Sequence, residues 1–293
     1  MTPQPLKDRY SLFPIGMGAM PFSLVGRPSE QESINILETF MTLGGNFIDT
    51  ADVYGLDESD KGHNEKLIYK ALKQLGKRDD ILVATKGGAT RPNGGWELRG
   101  GHPKNLRHGC EQSLIHLNTT EHTLYYLHGP DPDIPLEDSI GELVNLKKEG
   151  KIKNIGIANV TLDELKLAIS LTSIAAVQNR CNPFCKGDLQ NGLIEFCKSK
   201  NIIYVPYCPL GGWLEHTKLA NSDLYQPLIT KYQASSYMIA LAWLRTKGEH
   251  IIPIPGMDKK DHVRMNFESL NLKLSSEDID KIDAFPNLYS PKH

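Results

Sequence analysis

The sequence predicts a single-domain (β/α)8 barrel of the TIM type, covering residues 1–293, with an active site at the C-terminal ends of its strands. Short apolar runs typical of buried strands alternate with helical patterns eight times along the chain. No linker or low-complexity stretch interrupts this alternation. With 293 residues, of which 40% are hydrophobic and 23% charged, the chain has the size and composition of one large globular domain.

The strands are predicted in order from position 14 onward. The first covers 14–20, where Gly16 and Gly18 allow close approach of another backbone. These glycines do not form a dinucleotide-binding fingerprint, because Pro21 occupies the third glycine position. The later strands are predicted at 47–49, 81–86, 124–127, 152–158, 175–178, 202–207 and 251–255.

Helices are predicted between these strands from capping signals and apolar stripes. One helix begins at Ser29, because Glu32 three residues later can complete a capping box, and Thr161 with Glu164 repeats the pattern. The apolar stripe at 67–75 indicates the second helix. Further helices are predicted at about 104–117, 136–149, 238–246, 260–270 and 276–285, with another that ends at 200.

Composition bounds the class of protein. The net charge of −2 gives no sign of binding to nucleic acid or to a membrane surface, and no apolar run approaches the ~20 residues of a membrane span. The polar N-terminus does not resemble a secretory signal, so a cytoplasmic location is expected. Five cysteines lack the spacing of a disulfide framework, and Cys181 and Cys185 have no second ligand pair, so no metal site is predicted.

Polar side chains lie at the ends of three successive predicted strands. Asp49 ends the second strand and Lys86 the third, and His128 follows the fourth; Tyr54 stands in the loop after the second. Because the C-terminal ends of barrel strands open on one face, we expect these four groups to meet there. Each of them alone is more often a packing or solvated residue; the grouping indicates a catalytic site.

The motifs GGNFIDTADVYG, YLHGP, IGIANV, VQNRCNP, VPYCPLGG and IPG…HVRMN occur in this order from near residue 16 to the final helix. In this order they resemble the aldo-keto reductase family over nearly the whole chain. The resemblance implies a catalytic tetrad of Asp49, Tyr54, Lys86 and His128. Many family members begin with a hairpin that plugs the barrel bottom, but the leader before Pro14 is short and has no glycine turn.

The tetrad implied by the resemblance suits reduction of a carbonyl group. Tyr54 would give the proton, and Lys86 would lower its pKa from roughly 10 by favouring the phenolate. Asp49 would hold Lys86 charged and in place. His128 would donate to the carbonyl oxygen and orient it. The hydride must come from a cofactor, since no side chain supplies one.

The resemblance also implies where a nicotinamide cofactor binds. Amides at the ends of strands five and six would contact the carboxamide, an aromatic ring ending strand seven would stack on the nicotinamide, and the loop after it would approach the pyrophosphate. These residues are Asn159, Gln178, Tyr207, Pro209, Leu210 and Gly212. Ala158 stands where the family usually has serine.

The adenosine phosphate is expected at the start of the helix after the eighth strand, because free N–H groups and the helix dipole favour an anion there. The implied residues are Pro255, Gly256, Lys259, His262, Arg264 and Asn266. Met257 replaces the hydroxyl residue usual in the family. NADPH is the predicted cofactor, because positive charge for a 2′-phosphate is present, and NADH is the alternative.

The substrate is predicted to be a small-molecule carbonyl compound. The residues expected to rim its pocket are Met20, Phe22, Trp96 and Trp213. The stretch 208–213 resembles a branch of the family that includes pyridoxal reductases. Two further readings stay open: a cofactor-binding sensor or auxiliary subunit with little turnover, and an enzyme that oxidises an alcohol. The sequence does not predict the oligomeric state.

Overall fold

The structure is a computed structural model that describes residues 6, 10–76, 81–212 and 215–288. Its centre is a parallel sheet of seven strands in the order β1 to β7, each paired with the next along the chain. The strands are β1 Met17–Gly18, β2 Phe47–Asp49, β3 Leu82–Gly87, β4 Leu124–Leu127, β5 Ile155–Ala158, β6 Ile174–Gln178 and β7 Ile203–Tyr204. The predicted parallel α/β architecture is therefore confirmed, although several strands are shorter than expected.

Helices lie between the strands and cover the sheet. They are α1 Glu30–Thr42, α2 His63–Leu75, α3 Pro103–His116, α4 Leu136–Lys148, α5 Leu162–Leu171, α6 Gly187–Gln190, α7 Leu193–Ser199, α8 His216–Asn221, α9 Tyr225–Tyr232, α10 Ser236–Arg245, α11 Lys260–Glu268 and α12 Ser276–Ala284. The predicted capping boxes at Ser29 and Thr161 are both confirmed, with Glu32 and Glu164 as the reciprocal partners. The helix predicted to end at 200 is two helices, because Gly192 adopts a left-handed φ of 84° between them.

The segment 251–256 contains the predicted eighth strand, 251–255, but it is not a regular strand. Its N–H groups at Ile252 and Ile254 donate to the carbonyls of Tyr204 and Pro206, on the β7 side. On the other side, the carbonyls of Pro253 and Pro255 accept from Gly16 and Gly18. Proline has no N–H, so these two residues cannot donate the hydrogen bonds toward β1 that a regular strand would form. The segment nevertheless hydrogen-bonds to both edges of the sheet, and the sheet closes on itself.

The interior of the sheet is filled by side chains of the strands and of the N-terminal segment. Leu6 and Leu12 are buried in the same cluster as Phe47, Tyr126 and Ile254, which point inward from the strands and from the closing segment. The short leader therefore supplies apolar side chains to the barrel interior, although its sequence lacks a hairpin signal. Among the described residues, no helix has both the length and the apolar character needed to cross a membrane.

Candidate active site

The four predicted catalytic side chains lie together at the C-terminal edge of the sheet. Asp49 is the last residue of β2, Lys86 the penultimate residue of β3, and His128 directly follows β4. Tyr54 lies on the loop between β2 and α2, and its phenol is 7% exposed. Because the strands are parallel and in register, their carboxyl ends present these groups to one face.

Lys86 is the centre of the cluster and is fully buried. Its Nζ donates to Asp49 Oδ2 at 2.6 Å, to the Thr50 carbonyl at 2.8 Å and to Tyr54 Oη at 2.9 Å. An ammonium has three donors, so these bonds use all of them. Tyr54 accepts in its bond to the lysine, and its own O–H remains available to donate to another group.

Asp49 is held on both of its oxygens. Oδ2 accepts from Lys86, and Oδ1 accepts from Nε2 of Gln178 at 2.7 Å. Gln178 was predicted to contact the nicotinamide; in the structure its buried amide nitrogen donates to the Asp49 carboxylate and orients it. Sequence reasoning missed this contact, because the two residues are 129 positions apart.

Burial dominates the electrostatics of the cluster. It raises the pKa of Tyr54 well above the usual value, with the Asp49 carboxylate adding to the effect. Burial also lowers the pKa of Lys86, against the opposing pull of Asp49. The prediction that the neighbouring ammonium lowers the Tyr54 pKa is therefore wrong in its net direction. The consequence is a phenol that stays protonated, the form that a proton donor requires.

His128 lies beside the phenol. Its ring is 6.1 Å from the Tyr54 ring, in an edge-to-face arrangement. Burial and the nearby Lys86 charge hold the pKa of His128 well below its usual range, so the imidazole is neutral. Its Nδ1 is buried and has no hydrogen-bond partner among the described residues. A neutral imidazole retains one N–H and can donate it to an oxygen beside Tyr54.

An aromatic wall borders the phenol on the side of the loop after β3. The Trp96 ring is 5.9 Å from the Tyr54 ring, and the Arg91 guanidinium lies 4.0 Å over the indole. Arg91 is buried, and its Nη2 donates to the carbonyls of Gly55 and Leu56 at 2.9 Å. Arg91 thus ties the indole to the loop that carries Tyr54, a role that sequence reasoning missed.

The predicted pocket rim is assembled only in part. Met20 packs against the small apolar cluster that contains Tyr54, and Leu98 packs against the same cluster. Phe22 is fully buried in the cluster that packs α1 and α2 on the sheet, so its placement at the rim was wrong. Trp213 lies outside the described residues.

The polar groups predicted to bind nicotinamide contact one another. Tyr207 Oη donates to Asn159 Oδ1 at 2.8 Å, and Asn159 Nδ2 donates to the His128 carbonyl at 2.8 Å. Asn159 has a φ of +56°, in the left-handed region that asparagine tolerates better than most residues. The pair therefore links the ends of β4, β5 and the segment after β7, next to the catalytic cluster.

The loop predicted to approach a pyrophosphate follows β7. Pro209 is buried, Leu210 is partly buried, and the next two residues, Gly211 and Gly212, have φ values of +92° and +76°. Such angles favour glycine. Arg180 Nη2 donates to the Gly211 carbonyl at 3.1 Å, which fixes the turn against the end of β6.

At the start of α11, the predicted phosphate site combines exposed cations with a buried amide. Lys259 and Arg264 are exposed, and Arg264 is paired with Asp261 at the surface. Nδ1 of His262 lies 2.7 Å from Oδ1 of Asp258. The backbone of Gly256 is bridged to that of Gly18 in β1, and Pro255 is buried beside it.

Asn266 is the polar group of this region that most needs a partner. Its side chain is 1% exposed, and neither Oδ1 nor Nδ2 has a hydrogen-bond partner among the described residues. A buried amide without partners is costly, typically about 1–3 kcal/mol. An amide with one free donor group and one free acceptor can bind an adenine edge, which carries both. The residues present at this site therefore fit a dinucleotide.

Comparison with known proteins gives a consistent result. The aldo/keto reductase family model matches residues 14–287. The probable aldo-keto reductase 1 of Glycine max is 34% identical over 285 residues, which cover 88% of this chain and 80% of that protein. The thermostable aldo-keto reductase Tm1743, solved with the inhibitor epalrestat, is similar with a TM-score of 0.78 and 29% identity, covering 93% of this chain and 95% of that one.

A further solved structure supports the fold. An aldo/keto reductase of Klebsiella pneumoniae, in complex with NADP and acetate, has a TM-score of 0.75 at 24% identity, covering 93% of this chain and 90% of that one. Because the family model spans most of the sequence and the site brings Asp49, Tyr54, Lys86 and His128 together, the chain belongs to the aldo/keto reductase family.

Proposed function

We propose that this protein is an NADPH-dependent oxidoreductase that reduces an aldehyde or ketone to an alcohol, with Tyr54 as the proton donor. The observation that carries the proposal is the 2.9 Å contact between Lys86 Nζ and Tyr54 Oη. It fixes a protonated phenol beside the neutral imidazole of His128, at the open end of a closed parallel sheet. The eight-fold barrel predicted from the sequence is the architecture we assign, with the irregular segment 251–256 in the eighth position.

The side chains have distinct tasks in this proposal. When bound, the nicotinamide supplies the hydride for the carbonyl carbon. His128 donates its N–H to the carbonyl oxygen and orients it, and Tyr54 transfers its proton to that oxygen. Lys86, already bonded to the phenol oxygen, stabilises the phenolate left behind. Asp49 opposes the effect of burial and favours the charged form of this lysine.

The cofactor site proposed here combines the later strand ends with the start of α11. Asn266 would meet the adenine, and Lys259 and Arg264 would face the 2′-phosphate that distinguishes NADPH from NADH. His262 and the backbone at Pro255 and Gly256 complete this end. The other end comprises Asn159, Gln178, Tyr207, Pro209, Leu210 and Gly212.

Met20 and Trp96 remain the proposed pocket rim. The side chains that they place beside Tyr54 are apolar and aromatic, which suits a carbonyl compound with an apolar or ring-bearing body. Pyridoxal is one such compound, and the resemblance at 208–213 places it among the first to test.

The decisive experiment follows the loss of reduced-nicotinamide absorbance when the purified protein is mixed with NADPH or NADH and a panel of aldehydes and ketones. We expect carbonyl-dependent oxidation of NADPH, faster than that of NADH. Tight NADPH binding without turnover of any compound would instead favour a sensor or auxiliary subunit. The reverse assay, with NADP and the corresponding alcohols, tests the oxidative direction.

A further inference from the structure

A second layer of buried polar side chains lies directly behind the catalytic strand ends. Thr50 follows Asp49, and Thr85 precedes Lys86; both threonines are fully buried. Because successive side chains of an extended segment point to opposite faces, each threonine points toward the helix layer while its catalytic neighbour points into the barrel. What the two threonines contact therefore bears directly on the placement of the catalytic pair.

Both threonines bond to consecutive residues in the first turn of α2. Thr50 Oγ1 donates to Asn64 Oδ1 at 2.6 Å, and Thr85 Oγ1 donates to Glu65 Oε1, also at 2.6 Å. Asn64 and Glu65 are themselves fully buried. One helical turn thus holds the two strands that carry the catalytic carboxylate and amine.

The other end of each side chain in this turn is also held. Asn64 Nδ2 donates to the Ala19 carbonyl at 2.8 Å and to Ser23 Oγ at 2.7 Å. Oε2 of Glu65 lies 2.9 Å from Nδ1 of His116, at the end of α3. Neither polar side chain is therefore free to swing away from its threonine.

Gly62, the residue before α2, makes the contact with His116 possible. Its φ is +79°, and a Cβ built on it would lie 2.1 Å from the His116 ring. A side chain at this position would have to displace the imidazole that contacts Glu65. Glycine at position 62, in the sequence Gly-His-Asn-Glu at 62–65, is therefore required for a steric reason as well as for the start of the helix.

The backbone of Thr50 also contacts Lys86 directly. The carbonyl of Thr50 accepts one of the three bonds of Lys86 Nζ, at 2.8 Å. Asn64 fixes the side chain of that same threonine. Displacement of Thr50 would thus move an acceptor that the ammonium uses directly, together with the Asp49 beside it.

We propose that Asn64 and Glu65 are positioning residues that set the geometry of Asp49 and Lys86 by holding Thr50 and Thr85. This inference rests on the function proposed above. The residues touch neither the reacting atoms nor the proposed cofactor site; they act on the position of the ammonium beside the phenol. Small displacements of a reacting group cost large factors in rate, so the effect falls on the chemical step.

The most direct test is Thr85→Val, which keeps the shape of the side chain and removes its hydroxyl. We expect kcat to fall by roughly tenfold, while the KM for the carbonyl compound and the affinity for NADPH change by less than about twofold. Thr85→Ser restores a hydroxyl that can reach Glu65 and should recover most of kcat. A merely structural role would lower stability in both variants without this split between kcat and KM.

Variants of the helix residue test the same contact from its other side. Glu65→Gln retains an oxygen for Thr85 and a nitrogen for His116, and we expect a kcat within about threefold of the parent protein. Glu65→Leu removes both contacts and should lower kcat by more than Thr85→Val does. If Glu65→Leu does not fold, the comparison of valine and serine at position 85 still decides the matter.

Tyr204→Phe provides a matched control. It removes another buried hydroxyl–carboxylate bond, from Tyr204 to Asp188 at 2.7 Å, on β7 and away from α2. We expect it to lower thermal stability and leave kcat unchanged. A Thr85→Val protein with parental kcat would overturn the positioning proposal, whereas a parent protein that turns over no carbonyl compound would overturn the proposed function instead.

Discussion

The polar groups Asp49 and Lys86 at the early strand ends of the barrel have all their hydrogen-bond partners, whereas some polar groups beyond the late strand ends lack partners among the described residues. At the ends of β2 and β3, the ammonium of Lys86 uses all three donors, and both oxygens of Asp49 accept hydrogen bonds. At the far side, within α11, the buried amide of Asn266 has no partner among the described residues. The cations near it, Lys259 and Arg264, are exposed.

This difference separates chemistry from recognition. The protein alone fixes Asp49 and Lys86, which are proposed to support proton transfer, since their partners are other side chains and the backbone. At the adenosine end of the proposed cofactor site, Lys259 and Arg264 are exposed and the buried amide of Asn266 is unsatisfied, so these groups gain most from a ligand. Substitutions in the first region should therefore change turnover, and those in the second should change affinity.

The largest effect is expected for Tyr54→Phe. Loss of the hydroxyl removes the proposed proton donor and should lower kcat by roughly 10²–10⁴-fold. NADPH affinity, measured by fluorescence titration, should change little, because the phenol belongs to the early region. If Tyr54→Phe instead loses NADPH affinity and keeps its turnover, Tyr54 belongs with the cofactor-binding groups.

The second prediction concerns Asp52, which lies between Asp49 and Tyr54. It is buried, its Oδ1 has no partner among the described residues, and its Oδ2 is 3.9 Å from Lys61. Burial raises the pKa of Asp52 to about 7, against an unfolded value of about 4. Between these values the folded protein binds more protons than the unfolded chain, so stability falls as pH rises through this window.

We expect the titration of Asp52 to lower the free energy of unfolding by roughly 1 kcal/mol per pH unit between about pH 4 and pH 7. Above about pH 7 the free energy should no longer change on account of this group. Asp52→Asn mimics the protonated form and should remove this pH dependence of stability. Urea unfolding of both proteins from pH 5 to pH 8 measures the effect, and the variant should gain relative stability as pH rises. A difference that does not vary with pH would show that Asp52 does not titrate in this range.

Asn266→Leu should have opposite effects on stability and on binding. Without cofactor, removal of the unsatisfied buried amide should raise the free energy of unfolding by about 1 kcal/mol. NADPH affinity should fall by roughly tenfold, because the adenine would lose its polar partner. If affinity is unchanged, Asn266 does not contact the nucleotide.

The smallest effect is expected at the surface cations. Lys259→Ala and Arg264→Ala should each weaken NADPH binding by roughly threefold to tenfold and leave NADH binding nearly unchanged. Lys260→Ala is the matched control, since this neighbouring lysine is a solvated residue of the same turn. An unchanged ratio of the two affinities in Lys259→Ala or Arg264→Ala would exclude the 2′-phosphate assignment.

The sequence predicted the parallel strands and the residues that cluster around Lys86, because strand periodicity and position at a strand end are local properties. Partners across the barrel could not be predicted this way. Gln178 reaches Asp49 over 129 positions, and Tyr207 bonds to Asn159 across 48. The direction of the Tyr54 pKa was also missed, since it depends on how far the surrounding loops bury the phenol.

Two predicted placements depended on features that appear only in three dimensions. Phe22 is buried in a cluster with side chains of α1 and α2, and not in the small cluster that contains Tyr54. The eighth strand had a strand-like apolar pattern, but Pro253 and Pro255 fall on the side that faces β1, where their missing donors matter.

That proline-bearing segment makes the beginning and the end of the chain depend on each other. The N–H groups of Gly16 and Gly18 donate to the carbonyls of Pro253 and Pro255, so loss of the last quarter of the chain would remove these hydrogen bonds from the first strand as well. In a hydrogen–deuterium exchange experiment, these two glycine amides should lose protection together with the Ile252 and Ile254 amides, as one cooperative unit that joins both termini.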